Sequence, residues 1–243
     1  MFALLIALVC LVTQWEYFRM TLTGAGANSR LPLMTLGYAT GLLVIWAAYL
    51  NTPMMIIILI SLNFLTAGAI SLSFYRSDPG ILQAVSMQIQ GTVYIPVMIS
   101  SLIFLRNTGG ISWIFFLLAI VFAGDIGAYY AGSYMGHRKL CPAVSPNKTV
   151  EGSAGGLMGN LLVGGIIKAF FFPSFPWKIC IPMFLCIGFA GKMGDLFESA
   201  LKRSVQIKDS GSILPGHGGM LDRIDALIFA SPVALVFKDY FLN

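Results

Sequence analysis

An all-α fold, a polytopic helical membrane protein of about eight transmembrane helices with its polar loops gathered on one side, is predicted by three observations on this chain. Of its 243 residues 57% are hydrophobic and 10% charged, with a mean hydropathy of +0.83; soluble domains carry roughly 25% charged residues. Apolar runs close to the roughly 20 residues that cross a bilayer as helix recur along the whole length. These runs are continuous rather than alternating, which argues against barrel strands and leaves helices to satisfy the backbone in lipid.

The runs lie, in order, at about Phe2–Phe18, Leu31–Leu50, Met54–Phe74, Leu82–Leu105, Ile111–Met135, Ala154–Phe172, Ile179–Leu201 and Ala226–Tyr240. They predict eight spans in a single integral membrane domain over residues 1–243, with N-terminal spans in 1–110 and the polar spans and loops in 111–243. The first run starts at Met1 without a basic n-region or a small-residue cleavage site, so a removable signal peptide is not expected. Trp15, Trp113 and Trp177 fall near expected span ends and are read as interfacial aromatics.

Charge sets the orientation. If residues 202–225 face the cytoplasm, that side holds ten Lys and Arg, namely Arg19, Arg30, Arg76, Arg138, Lys139, Lys148, Lys202, Arg203, Lys208 and Arg223. The other side holds four, Arg106, Lys168, Lys178 and Lys238, so the split follows the positive-inside rule and puts both termini outside. The net charge of +5 suits anionic membrane lipids, and nothing calls for nucleic acid. Cys10, Cys141, Cys180 and Cys186 show no CxxC spacing, and with two histidines a zinc site is not expected; the thiols read as apolar filler.

Chemistry concentrates in KRSVQIKDSGSILPGHGGMLDRID, Lys202 to Asp225, where cations, carboxylates and glycines interrupt a chain of hydrocarbon. Such a mixture suits metal-bound polyphosphate. A second polar stretch, His137 to Gly152, falls on the same expected side. Its Pro142 and Pro146 bar a helix, and Ser145, Asn147, Lys148 and Thr149 offer donors for a phosphate-binding turn, although a plain basic connector would read the same way. Ionisable groups inside spans are costly and mark sites by default; here they are Asp125, Lys192, Asp195 and Glu198. Lys192, Asp195, Glu198 and Ser199 share one helix face, and a Lys192–Asp195 ion pair pinning two helices is the plainer alternative. Asp195 near the cytoplasmic end of its helix, with Asp222 and Asp225 on the returning segment, could hold a divalent cation, and hard oxygen donors favour Mg²⁺.

The pattern Ser199-x-x-Lys202-Arg203, then Lys208-Asp209-x-Gly211, Leu214-Pro215-x-His217-Gly218-Gly219 and Asp222-Arg223-x-Asp225 resembles the C-terminal signature of the CDP-diacylglycerol synthases, or phosphatidate cytidylyltransferases. Asp125 to Gly152, DIGAYYAGSYMGHRKLCPAVSPNKTVEG, resembles the upstream block of that family, so the likeness runs from about Asp125 to the C-terminus. Two departures stand out: Ile126 where many members have Thr, and Asn147 and Val150 where they often have Lys and Trp. The N-terminus also looks about one helix shorter than in many members.

The resemblance implies an enzyme of phospholipid biosynthesis that transfers a cytidylyl group from CTP to phosphatidic acid, giving CDP-diacylglycerol and pyrophosphate with Mg²⁺, K⁺ being a candidate second cation. Mapped onto this chain it makes Asp195, Asp222 and Asp225 the metal ligands and, with Lys202 and Arg203, the catalytic set. Ser145, Lys148, Lys208, His217, Gly218, Gly219 and Arg223 are the expected substrate-binding residues. Lys202 and Arg203 could equally be positive-inside anchors, His217 could donate to a phosphate or fix the loop, and the glycines could simply make the turn into the last helix. The expected setting is a bacterial inner membrane with active-site loops on the cytoplasmic side, a homodimer being compatible. Small residues four apart, as at Gly152, Gly156, Gly155 and Gly159, are read as helix-packing positions. An ion-coupled transporter is the competing class, but the charges cluster on one side without an inverted-half pattern. A CTP-dependent polyprenol kinase would share the membrane and nucleotide demands without the full 199–225 pattern.

Overall fold

The computed structural model describes residues 1–211 and 218–242, and among them the chain is almost entirely helical. The helices are α1 (Phe2–Thr21), α2 (Ala27–Tyr49), α3 (Pro53–Phe74), α4 (Ile81–Thr92), α5 (Met98–Gly109), α6 (Ile111–Met135), α7 (Val150–Phe171), α8 (Trp177–Ser204) and α9 (Leu221–Val236). A five-residue π turn, Val93–Val97, joins α4 to α5 at Pro96, which lacks the N–H an unbroken ladder would use. Among the described residues seven helical segments are long and apolar enough to cross a membrane, α4 through α5 counting as one. The eighth expected span is the 16-residue α9, which runs on into a π turn at Phe237–Phe241. Many large apolar side chains point outward, among them Leu8, Ile57, Phe64, Phe115, Leu162 and Phe170, as lipid requires and water would not.

The chain divides into two compact units. The first comprises Met1–Phe104 and Val205–Arg223. Its helices pack around Tyr17, Phe18, Leu22, Leu33, Ile81 and Ile95. Phe18 meets Tyr17 and Tyr38 edge to ring, with centroids 5.7 and 5.6 Å away. Several polar groups inside are paired within the bundle: Gln14 Nε2 donates to the Gly37 carbonyl at 3.0 Å, the Tyr17 hydroxyl to Gln90 Oε1 at 2.8 Å, and Asn63 Nδ2 to Thr40 Oγ1 at 3.0 Å. Such bonds hold helices together where lipid offers no hydrophobic drive between them. Asp78, in the connection after α3, caps the start of α2. It accepts from the Ser29 hydroxyl and from the N–H groups of Gly26 at 2.8 Å and Gly80 at 3.0 Å. These three donors hold its carboxyl below the usual carboxylate range.

The second unit comprises Leu105–Ser204 and Ile224–Asn243. Here α6 and α7 pack closely, and the small residues read as packing positions are the reason. A Cβ on Gly127 would lie 2.6 Å from the Gly155 carbonyl oxygen, and one on Gly156 would lie 2.6 Å from that of Gly124. Trp113, near the start of α6, does not face outward. It is buried in an aromatic cluster with Phe116, Phe172 and Phe175, because its helix begins beneath the α7–α8 connection. Lys168 is also drawn inward, its ammonium donating to the Pro173 carbonyl at 3.1 Å and lying 4.6 Å from the Trp177 ring centroid.

The polar stretch between α6 and α7 is a small antiparallel hairpin, β1 (Lys139–Cys141) with β2 (Ser145–Thr149). Two carboxyl and hydroxyl caps fix it to the helix that follows. Thr149, extended at the N-cap, accepts from the Gly152 N–H at 3.1 Å. Glu151 reaches back to the N–H groups of His137 and Arg138, each 3.1 Å from Oε2. Both caps sit at the base of the hairpin, whose pairing shifts register between Lys139 and Cys141.

Candidate functional site

α6, the hairpin, the start of α7 and α8, all in the second unit, converge on a cavity of about 570 Å³. From α6 come Asp125 and Tyr129, from the hairpin Ser145 and Lys148, and from α8 Lys192 and Asp195. β2, whose register against β1 is irregular, brings Ser145, Asn147, Lys148 and Thr149 all to the cavity. On α8, Lys192 and Asp195 sit three residues apart and so reach the same space.

Asp195 pairs with Lys148 at 2.5 Å, rather than with its helix neighbour Lys192. The partner comes from the hairpin, so the ion pair ties loop to helix. Both side chains keep partial access to the cavity, with 26% of Lys148 and 39% of Asp195 exposed. Lys192 instead extends toward α7, where its ammonium occupies the space that a side chain on Gly156 would fill. Asp125, Asp195, Lys148 and Lys192 act on one another electrostatically, and Asp225 on α9 feels Asp195, Asp125 and Lys148. Three carboxylates and two lysines thus share one region of low dielectric, where each charge counts for more than in water.

Beneath the cavity, Asn160 on α7 is completely buried. Its amide fits between helices only because Gly124 and Gly188 have no side chains, and neither amide atom meets a partner. A pocket of about 10 Å³, near the size of one water, lies between Asn160, Asp125 and Lys192.

The remaining expected residues fall in several places. Lys202 and Arg203 occupy the last turn of α8: Lys202 pairs with the buried Glu198 at 2.6 Å, and Arg203 Nε donates to the Val144 carbonyl at 3.4 Å. Arg203 therefore buttresses the hairpin's turn. Lys208, Gly218, Gly219, Asp222 and Arg223 belong to the first unit. Lys208 and Arg223 are exposed there, and Gly218 has a φ of +79° that a side chain would strain. Asp222 Oδ2 accepts from Ser210 N–H and Ser210 Oγ, each at 3.0 Å, and from Gly219 N–H at 2.8 Å. Asp222 and Asp225 stand one turn apart on α9. His217 lies outside the described residues. Of the departures noted in the sequence, Ile126 is exposed on α6 and is not among the cavity residues, whereas Asn147 is.

Sequence reasoning passed over Tyr129, Ser133 and Asn160. Tyr129 and Ser133 follow Asp125 at helical spacing, a signal that was available. Asn160 gave the weaker signal of a lone amide within an apolar run.

Comparison with known proteins adds the decisive observation, for the sequence pattern of the cytidylyltransferase family matches residues 1–241. The chain belongs to the cytidylyltransferase family. Among curated relatives, the phosphatidate cytidylyltransferase of Bacillus subtilis (strain 168) is 42% identical over 142 residues, 58% of this chain and 53% of the relative. That of Staphylococcus saprophyticus is 43% identical over 124 residues, 51% of this chain and 48% of the relative. An uncharacterized protein of Escherichia coli (strain K12) is 44% identical over 132 residues, covering 54% and 44%. This cytidylyltransferase-family chain thus spans about half the length of the curated relatives it matches.

Proposed function

We propose that the protein transfers the cytidylyl group of CTP to phosphatidic acid at the cytoplasmic face of a bacterial inner membrane, forming CDP-diacylglycerol and pyrophosphate for phospholipid synthesis. The observation that carries this reading is the Lys148–Asp195 pair on a cavity whose walls mix lysines, carboxylates and hydroxyls, within a chain of the cytidylyltransferase family.

The donors suit an anionic substrate pair. The phosphatidate monoester oxygen is already anionic, so its attack on the α-phosphorus of CTP needs no strong base. A new P–O bond forms to the lipid phosphate, the bond from the α-phosphorus to the bridging oxygen breaks, and pyrophosphate leaves with the electron pair. Positioning and charge neutralisation supply most of such catalysis. Lys148 and Lys192 are placed to offset the charge of two polyanions, with Ser145 and Tyr129 as neutral donors beside them. A phosphate arriving at Lys148 would release Asp195 from its ion pair. Lys202 and Arg203 hold helix end and hairpin in place, while Lys208, Arg223, Gly218 and Gly219 remain candidate phosphate contacts in the family signature.

Among the described residues no three His, Cys, Asp or Glu side chains gather as a metal cluster. Asp195 and Asp225 offer hard oxygen donors within electrostatic reach of each other, which fits Mg²⁺ held by one or two carboxylates with substrate phosphates completing its shell. Asp195 and Asp225 would hold the ion, the family likeness extending the set to Asp222, and K⁺ is a candidate second cation. Bound there, Mg²⁺ would supply charge stabilisation to the triphosphate and to departing pyrophosphate.

The test is incorporation of radiolabel from α-labelled CTP into organic-extractable product by purified protein in detergent, with and without phosphatidic acid. Label in lipid only with both phosphatidate and Mg²⁺ is the expected result. Folded protein that transfers none, beside an active control enzyme, would overturn the reading.

A further inference from the structure

Glu16 lies in the last third of α1, in a run of the sequence that reads as plain membrane span, and it is wholly buried. Its partners are some 200 residues further along. Oε1 accepts from the Met220 N–H at 3.0 Å, and Oε2 from the Leu221 N–H at 2.8 Å and the Ser210 hydroxyl at 3.4 Å. Met220 and Leu221 lead into α9, where N–H groups have no intrahelical acceptor and the helix dipole favours negative charge.

From within the same segment, Asp222 Oδ2 takes Ser210 N–H, Ser210 Oγ and Gly219 N–H. Glu16 and Asp222 thus share the hydroxyl of Ser210 and hold both ends of the glycine-rich segment. Two glycines leave room for the carboxylate: a Cβ on Gly211 would lie 2.6 Å from Glu16 Oε1, and one on Gly219 would lie 2.8 Å from both Glu16 oxygens. A buried carboxylate is tolerable only when donors surround it, as Met220, Leu221 and Ser210 do here.

We propose that Glu16 is a positioning residue for the reaction: it fixes the entry to α9, and through it the orientation of Asp222 and Arg223. This rests on the cytidylyl-transfer reading. Glu16→Gln keeps size and removes one acceptor, setting an NH₂ group against backbone N–H donors. Glu16→Asp keeps both acceptors on a shorter arm. Gly211→Ala leaves Glu16 intact but crowds its carboxylate.

The experiment measures amide hydrogen exchange at Ser210, Gly219, Met220 and Leu221 together with cytidylyl-transfer kinetics, for wild type and the three variants in detergent. In Glu16→Gln exchange at those amides should rise about tenfold or more while the other helices keep their protection. Its kcat should fall about 10- to 100-fold with KM for CTP changed less than about threefold, as expected when geometry rather than binding is lost. Glu16→Asp should recover part of the rate. If Glu16→Gln does not fold, Gly211→Ala carries the same expectation. Wild-type exchange or wild-type kcat in the folded variant overturns the role of Glu16. A wild type that itself transfers no cytidylyl group overturns the reaction reading instead, and the positioning role with it.

Discussion

The two units hold carboxylates by opposite means. In the first, Glu16 and Asp222 are met by backbone N–H groups and a serine hydroxyl, donors that are fixed once the chain has folded. In the second, Asp195 is met by the ammonium of Lys148, on a cavity it shares with Asp125 and Lys192. A backbone donor cannot leave without unfolding its segment, whereas an ammonium can exchange a carboxylate for a phosphate by rotating a few side-chain bonds. The first arrangement builds shape; the second stores charge that a substrate can claim.

That contrast can be broken most sharply at Asp195. Asp195→Asn should lower cytidylyl transfer about 10³-fold, roughly 4 kcal/mol in the barrier, with the protein still inserted. Label entering phosphatidate at near the wild-type rate would place Asp195 with the structural carboxylates. Lys148→Ala should cost about 10- to 100-fold in kcat/KM, expressed as a higher KM for CTP if the lysine meets the triphosphate. A CTP titration with unchanged half-saturation would deny it that role.

Smaller effects sharpen the structural side. Gly127→Ala forces a methyl onto the Gly155 carbonyl, a backbone atom that cannot rotate away, and should cost about 1–3 kcal/mol. A lower melting temperature in detergent, without loss of specific activity at low temperature, is the expected reading. Asp78 should give the slightest effect, visible only against pH. Its folded carboxyl titrates below the unfolded one, so its contribution is complete above the ordinary carboxylate range and is lost as pH falls through the lowered value. The melting temperatures of wild type and Asp78→Asn should therefore converge on acidification, and a gap that stays constant would remove the carboxylate from the account.

Hydropathy made the helices legible, because lipid demands long apolar runs whatever they pack against. Packing was less so. Trp113 reads as an interfacial residue from its place in the run, and only the arrival of Phe172 and Phe175 makes it interior. Residue spacing paired Lys192 with Asp195, but a hairpin that composition showed only as a break in helix brings Lys148 there first. The signature residues were readable as a set, while the division of labour among Asp195, Asp222 and Asp225 depends on which neighbours each one meets. Glu16 carried a signal that was not used: a lone carboxylate in an apolar span is expensive and must have a reason.

Glu16 also bears on how the molecule is made. The N–H groups it accepts from follow it in the chain by about 200 residues. Until they arrive a bare carboxylate travels in a segment bound for the bilayer, and the contact that satisfies it closes a loop of that length, among the slowest kinds of contact to form. Arrival of Met220 and Leu221, rather than insertion of α1 alone, is what gives the carboxylate its donors.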